Sequence, residues 1–565
     1  MELSMGIKSS MEFLRETFPR CSTSYSFTCK ETAVDENLIC AAVNRSQLQQ
    51  TLATDNSSTA LCSFTITEHA CSVADQLAAQ SLATLLKCSL ESHTTYPVEV
   101  WKLFFQKVSP ALDEALETFA TVTPNNSSPA VSNALDALRE ARLANLSNAQ
   151  LQSGTFIGDL VQRNIGPFLA SPSTNFLFCL SSYNFSCLTY QIVVKGLSNQ
   201  RELMNSSKQQ AVFTYFIKPF LSRVGTPDAG CTSSTNGSQE WLQANLGGFA
   251  SFATIQELQT LNPHLSTMDV LDLLTFSQLR QLATMPSHLK GMQDVSKVMG
   301  VIQSADFAAF FDTVSPVIEA QSANYTLEVK STFLQAVLDR GDFSLPAVSD
   351  EEFLLWMRVR LRPLLVNLSS SLVKPFFSIG TNRSCYSHRE IITVLDNVQM
   401  TLSKSTKENI YNNIVLFLQG VKCYSGGSFY LFLKNTFLSF GFPDVSTLIS
   451  LLPPTRKSEL LNTISTSELG QLLSQPGVIN NSPDVCIIFS HYNNTATFLQ
   501  SEDVPDDVRR TILPCVWPLA LSSSSRSEVD LWFNVRLKDY LRFLTKELIS
   551  STEVQNASCL AFQKL

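Results

Sequence analysis

The sequence predicts an all-α fold: a superhelical α-solenoid of short stacked helices, duplicated in disulfide-stapled units of about 175–200 residues. Three observations predict it. Residues 245–283 fall on 435–473 without a gap when the chain is slid by 190 residues. Leucines recur at three-to-four spacing between prolines, while period-two alternation with hairpin turns is nearly absent. The tetrapeptide Asn-x-Ser-Cys occurs at 184–187, 382–385 and 556–559.

In chain order, residues 1–121 read as a divergent, cysteine-rich partial unit. There SQLQQTL (46–52) resembles SELGQLL (467–473), and VWKLFF (100–105) takes the place of LWFNVRL (531–537). Residues 122–155 open on a Pro-, Asn- and Ser-rich run and are expected to form a linker. Two full units follow, 156–355 and 356–531, and then 532–565 as the truncated start of another. In the self-match Asn245 meets Asn435, Phe252 meets Phe442, Pro263 meets Pro453, and Leu279 and Leu282 meet Leu469 and Leu472. Downstream, LWMRVRL (355–361) matches LWFNVRL (531–537). Each is preceded by a capping-box pattern, Ser349 with Glu352 and Ser527 with Asp530. Val270, Leu273, Leu274, Leu279 and Leu282 form one helical face, and Pro263, Pro286 and Pro453 punctuate helices of about 15–20 residues.

At 565 residues the chain exceeds one core, and 44% hydrophobic against 16% charged residues is the composition of a folded protein. A net charge of −8 with no basic stripe argues against nucleic acid as a partner. No stretch is long and apolar enough to span a bilayer; FYLFLKNTFLSFGF (429–442) is interrupted by Lys434 and Asn435. Neither a signal peptide nor a lipid-anchor signal is legible at the ends. With the interior pointing to the secretory pathway, this reads as a chain truncated at both ends, any membrane anchor lying in a missing C-terminal part.

Fourteen Asn-x-Ser/Thr acceptors occur, where chance predicts about six. They are Asn44, Asn56, Asn125, Asn126, Asn145, Asn184, Asn205, Asn236, Asn324, Asn367, Asn382, Asn480, Asn493 and Asn556. Asn125 and Asn126 are adjacent, and two glycans do not fit there. The fourteen cysteines include no C-x-x-C spacing, which favours disulfides over zinc or a redox pair. Repeat logic pairs them. Cys187 is followed by Cys231 across a polar loop, as Cys385 is by Cys423. Cys486 and Cys515 occur together in one unit, while the earlier unit has Ser296 in place of the first and no cysteine between 232 and 384. Cys62 and Cys88 stand at a similar separation. Closing each such loop is worth about 3–4 kcal/mol by the chain-entropy account. Cys21, Cys29, Cys40, Cys71, Cys179 and Cys559 remain unassigned.

No spacing points to catalysis. The six histidines form no H-E-x-x-H motif, and neither a nucleophile elbow nor a phosphate loop is present. Cys385-x-x-His388 is the nearest approach to a metal motif, but an aromatic residue (Tyr190, Phe562) takes the histidine's place in the other copies. Trp241 is a candidate stacking residue, whereas Trp356 and Trp532 lie in the apolar pattern of a helix and are expected in the core. The acidic run SEDVPDD (501–507) is expected to serve a helix N-terminus. No cofactor or metal is therefore expected.

The pattern LSTMDVLDLLTFSQLRQLA (265–283) with ISTSELGQLL (464–473) resembles the helical repeats of the mesothelin, stereocilin and otoancorin superfamily. The resemblance implies stacked helices and a surface or matrix glycoprotein working in adhesion; the chain departs from that family in lacking a signal peptide and a lipid-anchor signal. The expected function is thus non-catalytic binding of a protein or matrix partner, outside the cell or at its surface. The competing readings are an intracellular helical scaffold with free thiols and a secreted enzyme with a dispersed site.

Overall fold

Short amphipathic segments separated by Ser, Thr, Asn or Pro build helix after helix, and no strand occurs among the described residues. The computed structural model describes residues 29–55, 57–72, 77–92, 94–120, 129–345, 347–419 and 421–565. The fold is all-α and built of helical repeats. Contacts divide it into two units between Gln281 and Leu282.

In the first unit Ala79–Glu91 packs on Ser109–Ala120, and Val98–Lys107 on Pro129–Leu138. Leu82, Leu85, Leu86, Leu112, Leu116 and Phe119 recur at helical spacing and are buried. Trp101 stacks on Phe105 at 5.6 Å. Further along, Tyr190 stacks on Phe220 at 4.0 Å and its hydroxyl donates to the Asn245 carbonyl at 2.7 Å. In the second unit Met292–Val301 packs on Leu327–Arg340, Ser370–Ser378 on Lys404–Leu418, and Ser482–His491 on Asp506–Ser522.

The duplication is visible element by element. π-helical turns start at Leu160, Trp356 and Trp532. After the first two come Thr174–Ser182 and Ser370–Ser378, then Cys187–Asn199 and Cys385–Asn397, both of 13 residues. There follow Ser206–Val212 with a π turn into Lys218–Leu221 in one copy and the single helix Lys404–Leu418 in the other, then Gly237–Asn245 and Phe429–Phe437, and Ile255–Leu261 and Val445–Leu451. The buried positions keep register: Val329, Phe333, Leu334 and Val337 answer Val508, Ile512, Leu513 and Val516. The two Trp-led turns share a side-chain arrangement. Arg360 pairs with Glu352 and lies over Trp356, 4.9 Å from the ring centroid. Arg536 pairs with Glu528 and lies over Trp532 at 4.8 Å. Glu in the preceding α-helix and Trp and Arg in the wider π turn, each four residues apart, share one face.

Several expectations need correction. The second helix start is Ser525, whose hydroxyl accepts from the Glu528 amide at 3.2 Å, and not Ser527 with Asp530. Ser349 accepts from Glu352 likewise, and both serines stand seven residues before their tryptophan. Residues 129–155 are mostly helical rather than linker, because Val131, Ala134, Leu135 and Leu138 recur at helical spacing and supply a buried face. The stretch 267–273 forms two 3-10 turns instead of a helix face, and Leu273 is exposed. Trp101 sits in a regular α-helix, not in a π turn.

Candidate functional site

Among the described residues no group of three or more His, Cys, Asp or Glu side chains is placed to hold a metal ion; the recurrent site is the helix start. In Asn-x-Ser-Cys the serine is the N-cap and the cysteine the first helical residue. Ser186 accepts from the Thr189 amide at 3.3 Å, Ser384 from Ser387 at 3.2 Å, and Ser558 from Ala561 at 3.1 Å. A serine oxygen satisfies an amide that the first helical turn leaves without a partner. The same placement holds for Ser147, Thr326 and Ser369, the last residues of the sequons at Asn145, Asn324 and Asn367. At Asn44, Asn205 and Asn236 the asparagine is itself the N-cap. Before Ser482–His491 and Thr495–Ser501 the cap is the sequon's middle residue, Asn481 and Asn494. A fold of many short helices needs many Ser, Thr and Asn caps, and this demand raises the number of sequons by itself.

Every described sequon asparagine is open to solvent. Asn44, Asn145, Asn184, Asn205, Asn236, Asn324, Asn367, Asn382, Asn480, Asn493 and Asn556 are all exposed. Asparagines outside sequons divide instead. Asn133, Asn164, Asn175, Asn245, Asn262, Asn409, Asn413 and Asn462 are partly or fully buried, whereas Asn37, Asn148, Asn199, Asn397, Asn412, Asn435 and Asn534 are exposed. The covered asparagines lie inside helices or at their C-terminal ends, whereas the sequon asparagines stand at or just before helix starts, so their exposure follows from that position and leaves them open to solvent as acceptors. Asn56, Asn125, Asn126 and Cys21 lie outside the described residues.

Among the described residues six disulfides close the scaffold. Cys187 is joined to Cys231 and Cys385 to Cys423, each with Cα atoms 5.5 Å apart. Cys486 is joined to Cys515 and Cys62 to Cys88. Two further bonds, Cys29–Cys179 and Cys40–Cys71, join cysteines for which the repeat offers no second copy. Cys559 is exposed and unpaired among the described residues.

The loss of one staple can be located. By the shared register Ser296 stands where Cys486 does and Ala336 where Cys515 does, and both line a cleft of about 530 Å³. Cys486 and Cys515 have Cα atoms 4.7 Å apart, within reach of a disulfide. The double variant S296C/A336C is therefore expected to oxidise without disturbing the fold. Non-reduced peptide mapping that finds both new thiols alkylated would refute the register.

The remaining candidates resolve into structure. Cys385 is spent in its disulfide. His388 stacks on Phe417 at 4.4 Å, and its Nδ1–H donates to the Ser384 carbonyl; burial lowers its pKa. Trp241 is buried with its indole N–H on the Gly230 carbonyl at 2.8 Å, and Trp356 and Trp532 are buried as well. In the acidic run, Asp506 and Asp507 open the helix Asp506–Ser522, and Asp503 pairs with Arg509. Among the described residues no helix is long and apolar enough to cross a membrane. Comparison of the chain with family models, with curated proteins and with solved structures gives no match.

Proposed function

We propose that this chain is a non-catalytic glycoprotein of the cell surface or extracellular matrix that binds a protein or matrix partner through its helical surface. The observation that carries the reading is the exposure of every described sequon asparagine at helix starts of a scaffold closed by six disulfides. Disulfides of this density belong to oxidising compartments, and exposed sequons there are glycan acceptors. The resemblance to the mesothelin, stereocilin and otoancorin repeats supports the same reading.

Repetition supports the binding surface. Leu355 and Val359 are 48% and 44% exposed, and their counterparts Leu531 and Val535 are 40% and 48% exposed. Tyr386, 54% exposed, joins the first pair through Arg358, whose guanidinium donates to the Tyr386 hydroxyl at 3.2 Å and pairs with Glu390. Large apolar side chains left in solvent at the same place in two copies of the repeat suit a partner that covers them.

The reading is tested by non-reduced peptide mapping with glycosidase treatment after expression in a eukaryotic secretory system. Linked Cys385–Cys423 peptides and conversion of Asn382 to Asp are expected. Free thiols with bare sequons would replace this reading with the intracellular scaffold. For the surface, V359E/V535E is expected to weaken binding of the secreted chain to intact cells or deposited matrix at least about tenfold, the loss of one desolvated contact. Each side chain is about half covered in the folded chain, so recovery of the linked Cys385–Cys423 peptide verifies that the variant has folded.

A further inference from the structure

Asn184 is set apart from the other exposed sequon asparagines by what lies beside it. It lines a cavity of about 330 Å³ together with Phe185, Phe220, Arg223, Pro227 and Asp228, against the Cys187–Cys231 disulfide. The guanidinium of Arg223 stacks on Phe220, 4.2 Å from the ring centroid. Its Nη2 is buried and has no hydrogen-bond partner. Asp228, the acidic residue of the lining, accepts from the Ser233 amide at 3.0 Å through one of its two carboxylate oxygens. A buried N–H without an acceptor is unfavourable, and a ligand that offers a carbonyl oxygen removes the deficit.

We infer that this cavity holds the innermost N-acetylglucosamine of the glycan on Asn184 itself. The inference rests on the glycoprotein reading above. In the modification, Asn184 Nδ2 forms a bond to the anomeric carbon of a lipid-diphosphate-linked donor; the diphosphate leaves and one amide proton is lost. The attached sugar then starts at the rim of the cavity. Its acetamido carbonyl supplies the acceptor that Arg223 lacks, and its methyl group and apolar ring face pack on Phe185, Phe220 and Pro227. The volume lies at the low end for small-ligand pockets and suits one sugar ring, not a branched oligosaccharide. Tethering makes docking intramolecular, so weak contacts suffice.

The repeat provides an internal control. At Asn382 the residue matching Phe185 is Arg383, whose side chain is committed to the carbonyls of Phe343 and Val348 and to Asp350. The position matching Arg223 is Val421. A cavity of about 430 Å³ does lie against the Cys385–Cys423 disulfide, lined among others by Arg389 and Phe417, but Asn382 is not part of its lining, so a glycan there does not start at its rim.

The test is site-resolved release of high-mannose glycans from the native secreted protein by an endoglycosidase that cuts between the two core N-acetylglucosamines. Release at Asn184 is expected to be slower than at Asn382 by about tenfold, the value of one additional hydrogen bond. R223M should bring the two rates together, and R223K should fall between. Recovery of the linked Cys187–Cys231 peptide verifies that each variant has folded. Equal rates at two occupied sites would overturn the inference and leave the glycoprotein reading intact. A bare Asn184 beside an occupied Asn382 would overturn the inference alone, whereas bare sequons throughout would remove the reading on which it rests. Hydrogen exchange of residues 223–228 gives a second readout: removal of the sugar by N184Q should raise exchange there in the wild-type background of Arg223, and no change would count against docking.

Discussion

Replacement of Cys29 by Ser and Cys179 by Ala is expected to destabilise the first unit by about 5 kcal/mol, the largest effect of any disulfide among the described residues. This disulfide closes a span of 150 residues, against spans of 26 to 44 for the others. Loop-closure entropy grows only with the logarithm of length, so the shortcuts made inside the span by Cys40–Cys71 and Cys62–Cys88 reduce the figure slightly. The bond also has a local consequence. Cys179 is fully buried, and the segment attached to it places Glu31 and Thr32 over the charged cluster on Lys102 and Glu140. Two compact units need not melt together, so the readout is hydrogen exchange of the helices Ala79–Glu91 and Val98–Lys107. Both should lose protection in the variant while Leu327–Arg340, in the second unit, keeps its own. Unchanged protection in the first unit would show that Cys29–Cys179 closes nothing that the packing has not already closed.

This bond is also the least legible in the sequence, and the reason is physical. Cys187–Cys231 and Cys385–Cys423 can be reached because two copies of one unit carry the same spacing, and Cys486–Cys515 because the other copy lacks both members. Cys29 and Cys179 have no copies, and 150 residues of intervening chain leave no local constraint on which thiols meet. Helix existence is readable from leucine spacing; helix length is not. Each Ser, Thr or Asn cap opens a new helix, and expected segments of about 15–20 residues are cut to pieces such as Ile255–Leu261 and Thr466–Leu473. Taken as part of an acceptor alone, the serine of Asn-x-Ser-Cys hides a second signal, its preference for a helix cap. The seven-residue spacing from Ser349 to Trp356, imposed on Trp532, selects Ser525 over Ser527. Arg223 carries no sequence signal, since its lack of a partner arises from the packing around Phe220.

The cluster beneath that bond sets the second large effect. Lys102 is buried; its ammonium lies 2.9 Å from Glu140 and 3.3 Å from Glu31, and it donates to the Thr32 carbonyl at 2.9 Å. Glu140 also receives Arg139 at 3.1 Å and both the amide and the hydroxyl of Thr32 at 2.8 Å. K102M keeps the volume and leaves Glu140 with one cation fewer, which is expected to cost about 3–5 kcal/mol, the usual loss when one partner of a buried pair is removed. Burial alone would raise the Glu140 pKa, but the bonds from Lys102 and Thr32 outweigh it and hold the group below its ordinary value. Its contribution is therefore present at neutral pH and lost as pH falls through the lowered value. Asp136, close by, runs the other way. Burial, only partly offset by the Ser173 hydroxyl and the Arg139 charge, raises its pKa from 3.8 to about 6. The ionised form thus burdens the fold above about pH 6, and the burden is relieved as pH falls from there toward 3.8. Buried His69, held neutral with its Nε2–H on the Leu61 carbonyl, opposes this below its ordinary 6.5, because the unfolded chain takes up a proton that the fold does not accept. The wild-type slope mixes these terms, and D136N isolates one of them. Asn keeps an oxygen for Ser173, so D136N should exceed the wild type in first-unit stability by about 1–3 kcal/mol at pH 7.5. The gain should vanish near pH 4. Denaturation followed at several pH values through the same helix peptides gives the difference directly, and a constant offset between the two proteins from pH 4 to 7.5 would show that Asp136 is not ionised at a cost within the fold.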